Sequence, residues 1–336
     1  MQRLLLVTVL FFSFFQANAL VNTPTDSTKR STEVNTIIKL ANNYICNTMW
    51  LETPEWKTFV EKIQSEEAQR LSTQDFVSFF NTEVDALPFT HFYLRQIKKT
   101  KGSKKEKKAK KKMLPYFELK AIDDQTAHLV IREFASDGES MVKLVTEIKK
   151  KGYENLIIDL RSNTGGSLDA AVVLGRFLTQ KPLDAGLYMT RKWFLDHSRY
   201  PTVEEIQTFP YLKDMTYEGF MKISQESAAF RMVLPPHNDP IFEGKTYLLT
   251  NSLTASACEP FVYFLKKEKI ATVVGQTTAG AMLSGSWFPV SDNLRLFLPF
   301  ADYMLPDGHR IDKVGVEPDV KKSHEGALSY VLGQLK

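Results

Sequence analysis

Residues 245–265 read KTYLLTNSLTASACEPFVYFL, and this stretch decides the class of fold. The apolar run 247–249 is typical of a buried strand, residues 251–256 are small and polar, and helical spacing of apolar residues begins near Ala257. A strand that ends in a tight turn and continues into a helix can present one side chain at the end of a sheet. Ser256, which has alanine on both sides, is the side chain that this pattern favours.

The composition allows one large domain or two modest ones. The chain has 336 residues, 43% of them hydrophobic, and a formal net charge of only +4. That hydrophobic content is sufficient for a sizeable core.

The first residues are typical of a secretory signal peptide at residues 1–19. Arg3 supplies a positive start, residues 4–15 are apolar, and residues 17–19 fit a small-x-small cleavage pattern. A membrane anchor is the alternative, but an apolar run of about 12 residues is shorter than the ~20 that a bilayer requires. We therefore predict cleavage near Leu20 and a secreted or periplasmic protein without a stable membrane span.

The two cysteines, Cys46 and Cys258, are far apart in the sequence. Secretion would permit a disulfide, but such a pairing does not follow from sequence, and two buried free thiols are the favoured interpretation. The sequence has no His/Cys cluster with zinc spacing, so we predict no metal and no cofactor.

The N-terminal part reads as a small helical domain at residues 20–97. Residues 20–32 are polar and are expected to be a loose leader, and apolar residues recur at helical spacing through residues 33–86. A helix start is predicted at residues 72–75. A lysine-rich linker or loop follows at residues 98–115.

The lysine-rich run, residues 98–112, contains ten lysines and a single glutamate. Such a run is solvated and cannot join a packed core. A linker or exposed loop is the favoured interpretation, with binding to anionic polymers or a membrane surface as the alternative. No aromatic residues interrupt the run to stack on bases, so we expect no nucleic-acid partner.

The remainder, residues 116–336, predicts a layered α/β domain, because strand patterns alternate with helix patterns. Residues 184–240 are rich in aromatics and proline and are expected to be an irregular insertion that covers the domain. The predicted strands are 127–134, 155–160, 245–250, 271–275, 295–299 and 300–305, and the predicted helices are 139–150, 168–178 and one from about 257.

Two segments of this domain could carry chemistry. Residues 161–166, RSNTGG, follow a buried strand and open a helix, where paired glycines let a ligand approach backbone N–H groups. An ordinary tight turn is the alternative. Ser256 could be a nucleophile with the Ala257 N–H as an oxyanion donor, or Ser256 or Thr254 could merely cap the following helix.

Four stretches in one order carry a family resemblance: NLIIDLRSNTGGSLDAA, TNSLTASACEPF, ATVVGQTTAG and YMLPDGHRIDKVGVEPDV. Together they resemble the catalytic core of the C-terminal processing (tail-specific) serine peptidases and their tricorn-core relatives, over roughly residues 116–322. The resemblance implies a crotonase-like β-α superhelix behind the small helical domain. It also places the nucleophile at Ser256 and the oxyanion donors at Ala257 and at the Gly165-Gly166 turn.

The chain departs from the tail-specific pattern in two respects. Ala281 occupies the position of the family's catalytic lysine, and the sequence between the helical domain and the core has no room for a PDZ domain. A serine without a base is inert at neutral pH. The tricorn-like branch instead uses a histidine preceded by a small hydroxyl residue, which Thr90-His91 resembles, and a histidine is a suitable base near neutral pH.

The resemblance also suggests an acid that orients the base. Asp312 lies at the position of the tricorn-like acidic residue, with an exposed loop aspartate as the alternative. Glu259 is the other acid near the nucleophile, and His309 is the best rival to His91 as base.

We therefore predict a secreted serine peptidase that acts on a peptide or protein substrate without a cofactor. One alternative is a catalytically inactive ligand-binding protein on the same fold, as in the interphotoreceptor retinoid-binding repeats, which the resemblance also includes. Another is a surface adhesion protein that uses the lysine-rich run. The oligomeric state stays open.

Overall fold

The computed structural model describes residues 26–97, 114–135 and 137–335. The predicted signal peptide and the lysine-rich run lie outside these residues.

Helices and strands alternate along most of the described chain. The α-helices are α1 (Asp26–Tyr44), α2 (Pro54–Gln64), α3 (Glu66–Arg70), α4 (Thr73–Glu83), α5 (Gly138–Lys151), α6 (Leu168–Leu178), α7 (Arg191–Asp196), α8 (Val203–Ile206), α9 (Tyr217–Glu226), α10 (Cys258–Lys267) and α11 (Gly326–Gln334). The strands are β1 (Tyr93–Gln96), β2 (Phe117–Ala121), β3 (Thr126–Ile131), β4 (Asn155–Asp159), β5 (Leu183–Thr190), β6 (Ala229–Leu234), β7 (Lys245–Thr250), β8 (Thr272–Gly275), β9 (Ser284–Ser291), β10 (Leu294–Met304) and β11 (Val320–Lys321). Two 3-10 helices, Thr48–Glu52 and Val84–Ala86, lie among the first helices.

The strands form two sheets. The six-stranded sheet has the order β11-β8-β7-β4-β3-β2 and is parallel except for the β2–β3 pair. The five-stranded sheet has the order β1-β10-β5-β6, is antiparallel, and has β9 also paired with β10. The predicted mixed α/β class is therefore confirmed.

Hydroxyl side chains at helix starts explain why the N-terminal helices begin where they do. Thr53 accepts a hydrogen bond from the Trp56 amide at the start of α2, where Pro54 occupies the first helical position. Ser72 accepts from the Asp75 amide at the start of α4. The helix start predicted at residues 72–75 is confirmed.

The N-terminal helices share their hydrophobic core with the five-stranded sheet. Residues of α1, α2 and α4 pack with Leu94 of β1, Leu296 and Leu298 of β10, and Leu283 just before β9. One face of the β1, β9 and β10 strands is therefore covered by helices. The opposite face of these strands is available to other parts of the molecule or to a ligand.

The loose leader expected at residues 20–32 is wrong for the part that the structure describes, because α1 begins at Asp26. Arg30 is only 4% exposed. Its Nη1 lies 2.5 Å from Glu33 Oε2, and its guanidinium carbon lies 4.1 Å from the Phe76 ring centre. Ser291 Oγ donates to the other Glu33 oxygen at 2.8 Å. Polar residues enter this helix because Arg30 and Glu33 pair with each other and are also contacted by Phe76 and Ser291 from other segments.

The irregular insertion expected at residues 184–240 is also wrong as a description of local structure. This segment contains most of β5, the three short helices α7, α8 and α9, and β6. The strands β5 and β6 pair with each other, and β5 pairs with β10 inside the five-stranded sheet. Nearly continuous burial along both strands hides the alternation that would identify them from sequence.

The C-terminal strands differ from the sequence pattern as well. The two strands predicted at 295–299 and 300–305 are one long strand, β10, and the preceding strand β9 was not predicted. β9 contains a proline and a glycine, which lower strand propensity, and its pairing with β10 overrides that preference.

Cys46 and Cys258 are both buried and free, so that prediction is confirmed. Among the described residues, no helix has the length and apolar character needed to cross a membrane.

The buried Arg30–Glu33 pair should contribute strongly to stability. We predict that Arg30→Ala lowers the free energy of unfolding by about 3 kcal/mol, because it leaves the Glu33 carboxylate buried without its cation. Chemical denaturation followed by circular dichroism measures the change. The control is Arg70→Ala, whose exposed pair with Glu66 should contribute less than about 1 kcal/mol. Equal losses in the two variants would contradict the prediction.

Candidate active site

Ser256 lies in the turn between β7 and α10, with its backbone in the left-handed region at φ 55°. Non-glycine residues favour negative φ, so the surrounding structure must hold the backbone of Ser256 in this conformation. Ser256 does not cap the helix, because the N-cap of α10 is Ala257 and has no side-chain capping bond. Thr254 does not cap it either, since its hydroxyl donates to the Leu160 carbonyl at 2.8 Å. The capping alternative is therefore wrong.

The glycine turn after β4 packs directly against this serine. A Cβ atom added to Gly165 would lie 2.6 Å from Ser256 Cβ and 3.0 Å from the Ala257 nitrogen. Only glycine fits there, since its φ is also 99°. The two neighbouring turns predicted from sequence are thus in contact.

The two glycine amides are not equivalent. The Gly165 N–H donates to Asn163 Oδ1 at 2.9 Å, so it already has an acceptor. Gly166 lines the cavity in front of Ser256, together with Ala257. The Gly166 and Ala257 amides have no acceptor among the described residues. These two amides, rather than that of Gly165, are available to a ligand oxygen.

His91 and Ser256 line the same cavity, which has a volume of about 540 Å³. His91 lies between the last N-terminal helix and β1, and like Ser256 it has a left-handed backbone, at φ 58°. In the described part of the chain, the Ser256 hydroxyl and the His91 ring are not hydrogen-bonded to each other. A catalytic hydrogen bond of this kind is often long before substrate binds.

A chain of hydrogen bonds joins His91 to Asp312 through Thr90. The Thr90 hydroxyl lies 2.9 Å from His91 Nδ1 and donates to Asp312 Oδ1 at 2.5 Å. Because the hydroxyl has only one proton, it accepts from Nδ1, which therefore carries the ring proton. The lone pair of His91 is then on Nε2, the nitrogen that a general base needs.

Asp312 is buried and is held by several donors. Besides the Thr90 hydroxyl, the Thr90 amide donates to Oδ2 at 3.1 Å and the Met282 amide donates to Oδ1 at 3.0 Å. Burial raises the pKa of Asp312, while the Thr90 hydrogen bonds and the nearby charge of Arg310 oppose that rise. Asp312 is thus not the exposed loop aspartate that was the alternative.

Burial also lowers the pKa of His91 to about 4. Desolvation disfavours the imidazolium, so the ring is neutral throughout the range in which most proteins work. A neutral imidazole can accept a proton, whereas a charged one cannot.

Glu259 has a different role from Asp312, because it binds the turn that faces the serine. Its carboxylate accepts from the Thr278 hydroxyl and the Gly280 amide at 2.7 Å and from the Ala281 amide at 2.8 Å. The Ser256 amide also donates to it at 3.1 Å. Burial raises the pKa of Glu259, and these donors oppose that effect. Glu259 fixes Ser256 and the Ala281 segment relative to one another.

The other sequence candidates lie away from this arrangement. His309 is 81% exposed and interacts with Asp307, and it does not line the cavity. Ala281, which occupies the sequence position of the family's lysine, lines the cavity. Thr90 was noted only as the hydroxyl residue that precedes His91, and its bond to Asp312 emerges from the tertiary structure.

A smaller apolar cavity of about 70 Å³ opens next to the main one. The two cavities share Leu168, Tyr188 and Ala257 as lining residues. An apolar group in the main cavity could therefore extend into this second, apolar cavity.

The fold and the site together define an α/β protein with an accessible serine beside two backbone amides and a neutral histidine. The sequence profile of peptidase family S41 matches residues 125–322, which is more than half of the chain. The chain therefore belongs to peptidase family S41.

Two curated relatives support the same assignment. A carboxyl-terminal-processing protease of Picosynechococcus sp. is 24% identical over 197 residues, which cover 58% of this chain and 39% of the relative. The Bacillus subtilis carboxy-terminal processing protease CtpA is 23% identical over 207 residues, which cover 61% of this chain and 36% of that protein. The matched region thus spans well under half the length of these relatives.

Solved structures share the fold at low sequence identity. A putative peptidase from Parabacteroides merdae superposes with a TM-score of 0.62 at 13% identity, covering 91% of this chain and 96% of that one. The photosystem II D1 C-terminal processing protease gives a TM-score of 0.51 at 16% identity, covering 92% and 98%.

The contact between Gly165 and Ser256 should be intolerant of any side chain. We predict that Gly165→Ala reduces the free energy of unfolding by at least about 2 kcal/mol and removes Ser256 reactivity, because the added Cβ overlaps Ser256. Thermal unfolding and a serine-directed probe measure the two effects. The matched control is Gly152→Ala, which has a similar positive φ of 70° and nothing within 4 Å of the added atom. It should cost about 1 kcal/mol through backbone strain and leave Ser256 reactive. A reactive Gly165→Ala protein would contradict the described contact.

Proposed function

We propose that this chain is a serine peptidase in which Ser256 is the nucleophile and His91 is the general base. The observation that carries the proposal is the shared cavity, which is lined by Ser256, by two amides without acceptors among the described residues, and by the neutral, partly buried ring of His91. Family membership supports hydrolysis of peptide bonds as the reaction. The substrate class is then a peptide or a protein.

The proposed reaction proceeds by acyl transfer. Ser256 Oγ attacks the scissile carbonyl while its proton moves to His91 Nε2, and the carbonyl oxygen becomes an oxyanion. The Ala257 and Gly166 amides donate to that oxyanion. His91 then gives its proton to the leaving amine, and a water molecule, activated by the same ring, hydrolyses the acyl-enzyme.

Thr90 and Asp312 act as positioning residues in this proposal. The Thr90 hydroxyl keeps the ring proton on Nδ1, and Asp312 fixes the direction of that hydroxyl. As the imidazolium forms, the Asp312 carboxylate lies one hydroxyl away and stabilises the positive charge. In this proposal, His91 takes the role of the family's catalytic lysine, whose sequence position is occupied here by Ala281.

The finer predictions on fold and location belong to the same proposal. Two features support a crotonase-like core. The six-stranded sheet is mostly parallel, and Ser256 lies after β7, at the edge where the parallel strands have their C-terminal ends. The apolar run and cleavage pattern in residues 1–19 support export from the cytoplasm. Western blotting of cell and medium fractions tests export.

The nucleophile and the base can be tested with a fluorophosphonate probe on the purified protein. We expect Ser256→Ala to abolish labelling and His91→Asn to slow it by about 10²- to 10⁴-fold, because general base catalysis contributes a factor of this size. Asparagine tolerates the left-handed backbone of residue 91. The matched control is His309→Asn, which should label at the wild-type rate. Absence of labelling in the wild-type protein would instead favour the inactive ligand-binding alternative.

The low pKa of His91 predicts the pH dependence of the same reaction. The labelling rate should be constant from about pH 5 to 8 and fall to half near pH 4, because only the neutral ring accepts the serine proton. An unperturbed histidine would give a midpoint near 6.5. Intrinsic fluorescence at each pH verifies that the protein remains folded. A midpoint between 6 and 7 would contradict the buried, desolvated environment of His91.

A further inference from the structure

The sheet face opposite the N-terminal helices carries a row of aromatic rings that begins at the active-site cavity. Tyr93 of β1, Phe297 of β10 and Trp287 of β9 lie directly across from one another in the strand register. Their ring centres are 4.9 Å apart for Tyr93–Phe297 and 5.0 Å apart for Trp287–Phe297. Tyr93 and Phe297 line the cavity that contains Ser256. Trp287 is 39% exposed.

Gly285 brings this row close to the site. A Cβ atom at Gly285 would lie 2.3 Å from the Phe297 ring, so the ring lies directly over the glycine backbone. The His91 and Phe297 ring centres are 5.9 Å apart. The aromatic row is therefore continuous with the proposed general base.

Two arginines follow the aromatic row on the same face. Side chains two residues apart on a strand point to the same side of the sheet. Arg95 therefore lies on the same face as Tyr93, and Arg295 lies on the same face as Phe297. Arg95 and Arg295 lie directly opposite each other in the register, and the Arg95 guanidinium carbon lies 4.7 Å from the Trp287 ring centre. Like charges in this arrangement repel each other.

No carboxylate of the described chain neutralises these two guanidinium groups. Arg295 donates to the Ser291 and Leu294 carbonyl oxygens at 2.8 and 3.1 Å, and Arg95 contacts Trp287. An anion that entered between them would relieve the repulsion. The face is thus complementary to a ligand with an apolar group followed by a negative charge.

The proposed mechanism says which part of a substrate reaches this face. The His91 ring that accepts the serine proton also donates it to the leaving amine of the substrate. The substrate segment after the scissile bond, which carries that amine, therefore starts next to the His91 ring. From there, Phe297 and Tyr93 are the next groups along the cavity wall.

We propose that this face binds the segment of the substrate on the C-terminal side of the cleaved bond. The segment carries a bulky apolar side chain at its first or second residue and a carboxylate at its second or third. The guanidinium group of Arg95 lies over the Trp287 ring. Trp287 belongs to the same row across the sheet as Tyr93, and Tyr93 is two residues after His91. The Phe297 ring of that row lies 5.9 Å from the His91 ring, and the Trp287 ring lies 5.0 Å beyond Phe297. At about 3.3 Å per extended residue, the row corresponds to the second or third substrate residue. This inference rests on the proposed function.

The carboxylate could be an aspartate or glutamate side chain or the C-terminus of the substrate itself. Both offer the same planar pair of oxygens to a guanidinium group. Peptides that differ only at this point distinguish the two sources.

The test begins with the purified full chain and a mixed peptide library, with cleavage sites read by mass spectrometry. We expect wild-type sites to be enriched in apolar residues directly after the cut, followed by an acidic residue or a free C-terminus. A cleaved peptide is then resynthesised with Asp, with Asn, with a free C-terminus and with an amidated C-terminus. The kcat/KM values of the four versions identify which carboxylate is read.

The variants Arg95→Glu and Trp287→Ala test the assignment. Arg95→Glu should lower kcat/KM about fivefold to tenfold for peptides with the carboxylate and less than about twofold for their neutral versions. The discrimination of the wild-type protein should shrink at high salt, since the contact is exposed. Trp287→Ala should reduce the apolar preference. Arg70→Glu on α3, which makes the same charge change at an exposed site among the N-terminal helices, is the matched control.

Fluorophosphonate labelling separates this inference from the proposed function. The probe has no peptide segment after its reactive phosphorus, so its rate reports Ser256 and His91 without this face. Wild-type labelling rates in Arg95→Glu with loss of carboxylate discrimination would support the inference. Equal effects of Arg95→Glu on charged and neutral peptides, with labelling intact, would overturn this inference alone. Absence of labelling in the wild-type protein would overturn the proposed function and this inference with it.

Discussion

The site depends on the parallel pairing of β4 with β7. Asp159 lies opposite Leu249 in this register, so the two strands end at the same edge of the sheet and their turns are neighbours. The turns are joined by hydrogen bonds, including Ala255 N to the Asn163 carbonyl at 2.9 Å and Ser162 N to Asn251 Oδ1 at 2.8 Å. This pairing sets Gly165 against Ser256, and a shift of one residue would separate them.

Two buried carboxylates, Glu259 and Asp312, fix parts of the site that lie outside the strands. Glu259 binds the Gly280 and Ala281 amides and Asp312 binds the Met282 amide, so one short segment is held by both acids. The same acids reach Ser256 on one side and Thr90 on the other. The cost of burying each carboxylate is offset by several donors, namely four for Glu259 and three for Asp312.

Backbone strain coincides with the proposed chemistry. Ser256 and His91 both have positive φ, a conformation that costs of order 1–3 kcal/mol for a non-glycine residue. Each is stabilised by neighbours that come from other parts of the chain: the glycine turn and Glu259 for Ser256, and the Thr90–Asp312 bond for His91. Such strain is retained where the direction of a side chain matters more than local stability.

The sequence by itself determined the strands β3, β4, β7 and β8, the glycine turn and the position of Ser256 after β7, because these are local patterns. Apolar runs and small-residue turns depend on neighbours within a few positions, and strand 245–250 matches its prediction. The family motifs added the expectation for His91 and Asp312. Segments whose conformation depends on distant partners were misjudged, as α1 around Arg30 and the strands β5, β6 and β9 demonstrate.

Only the tertiary structure decided which groups meet. Thr90 and Asp312 are separated by 222 positions, and their hydrogen bond depends on how the N-terminal helices pack on β10. Sequence spacing carries no information on such contacts, because they arise when separate elements bury their apolar faces against one another.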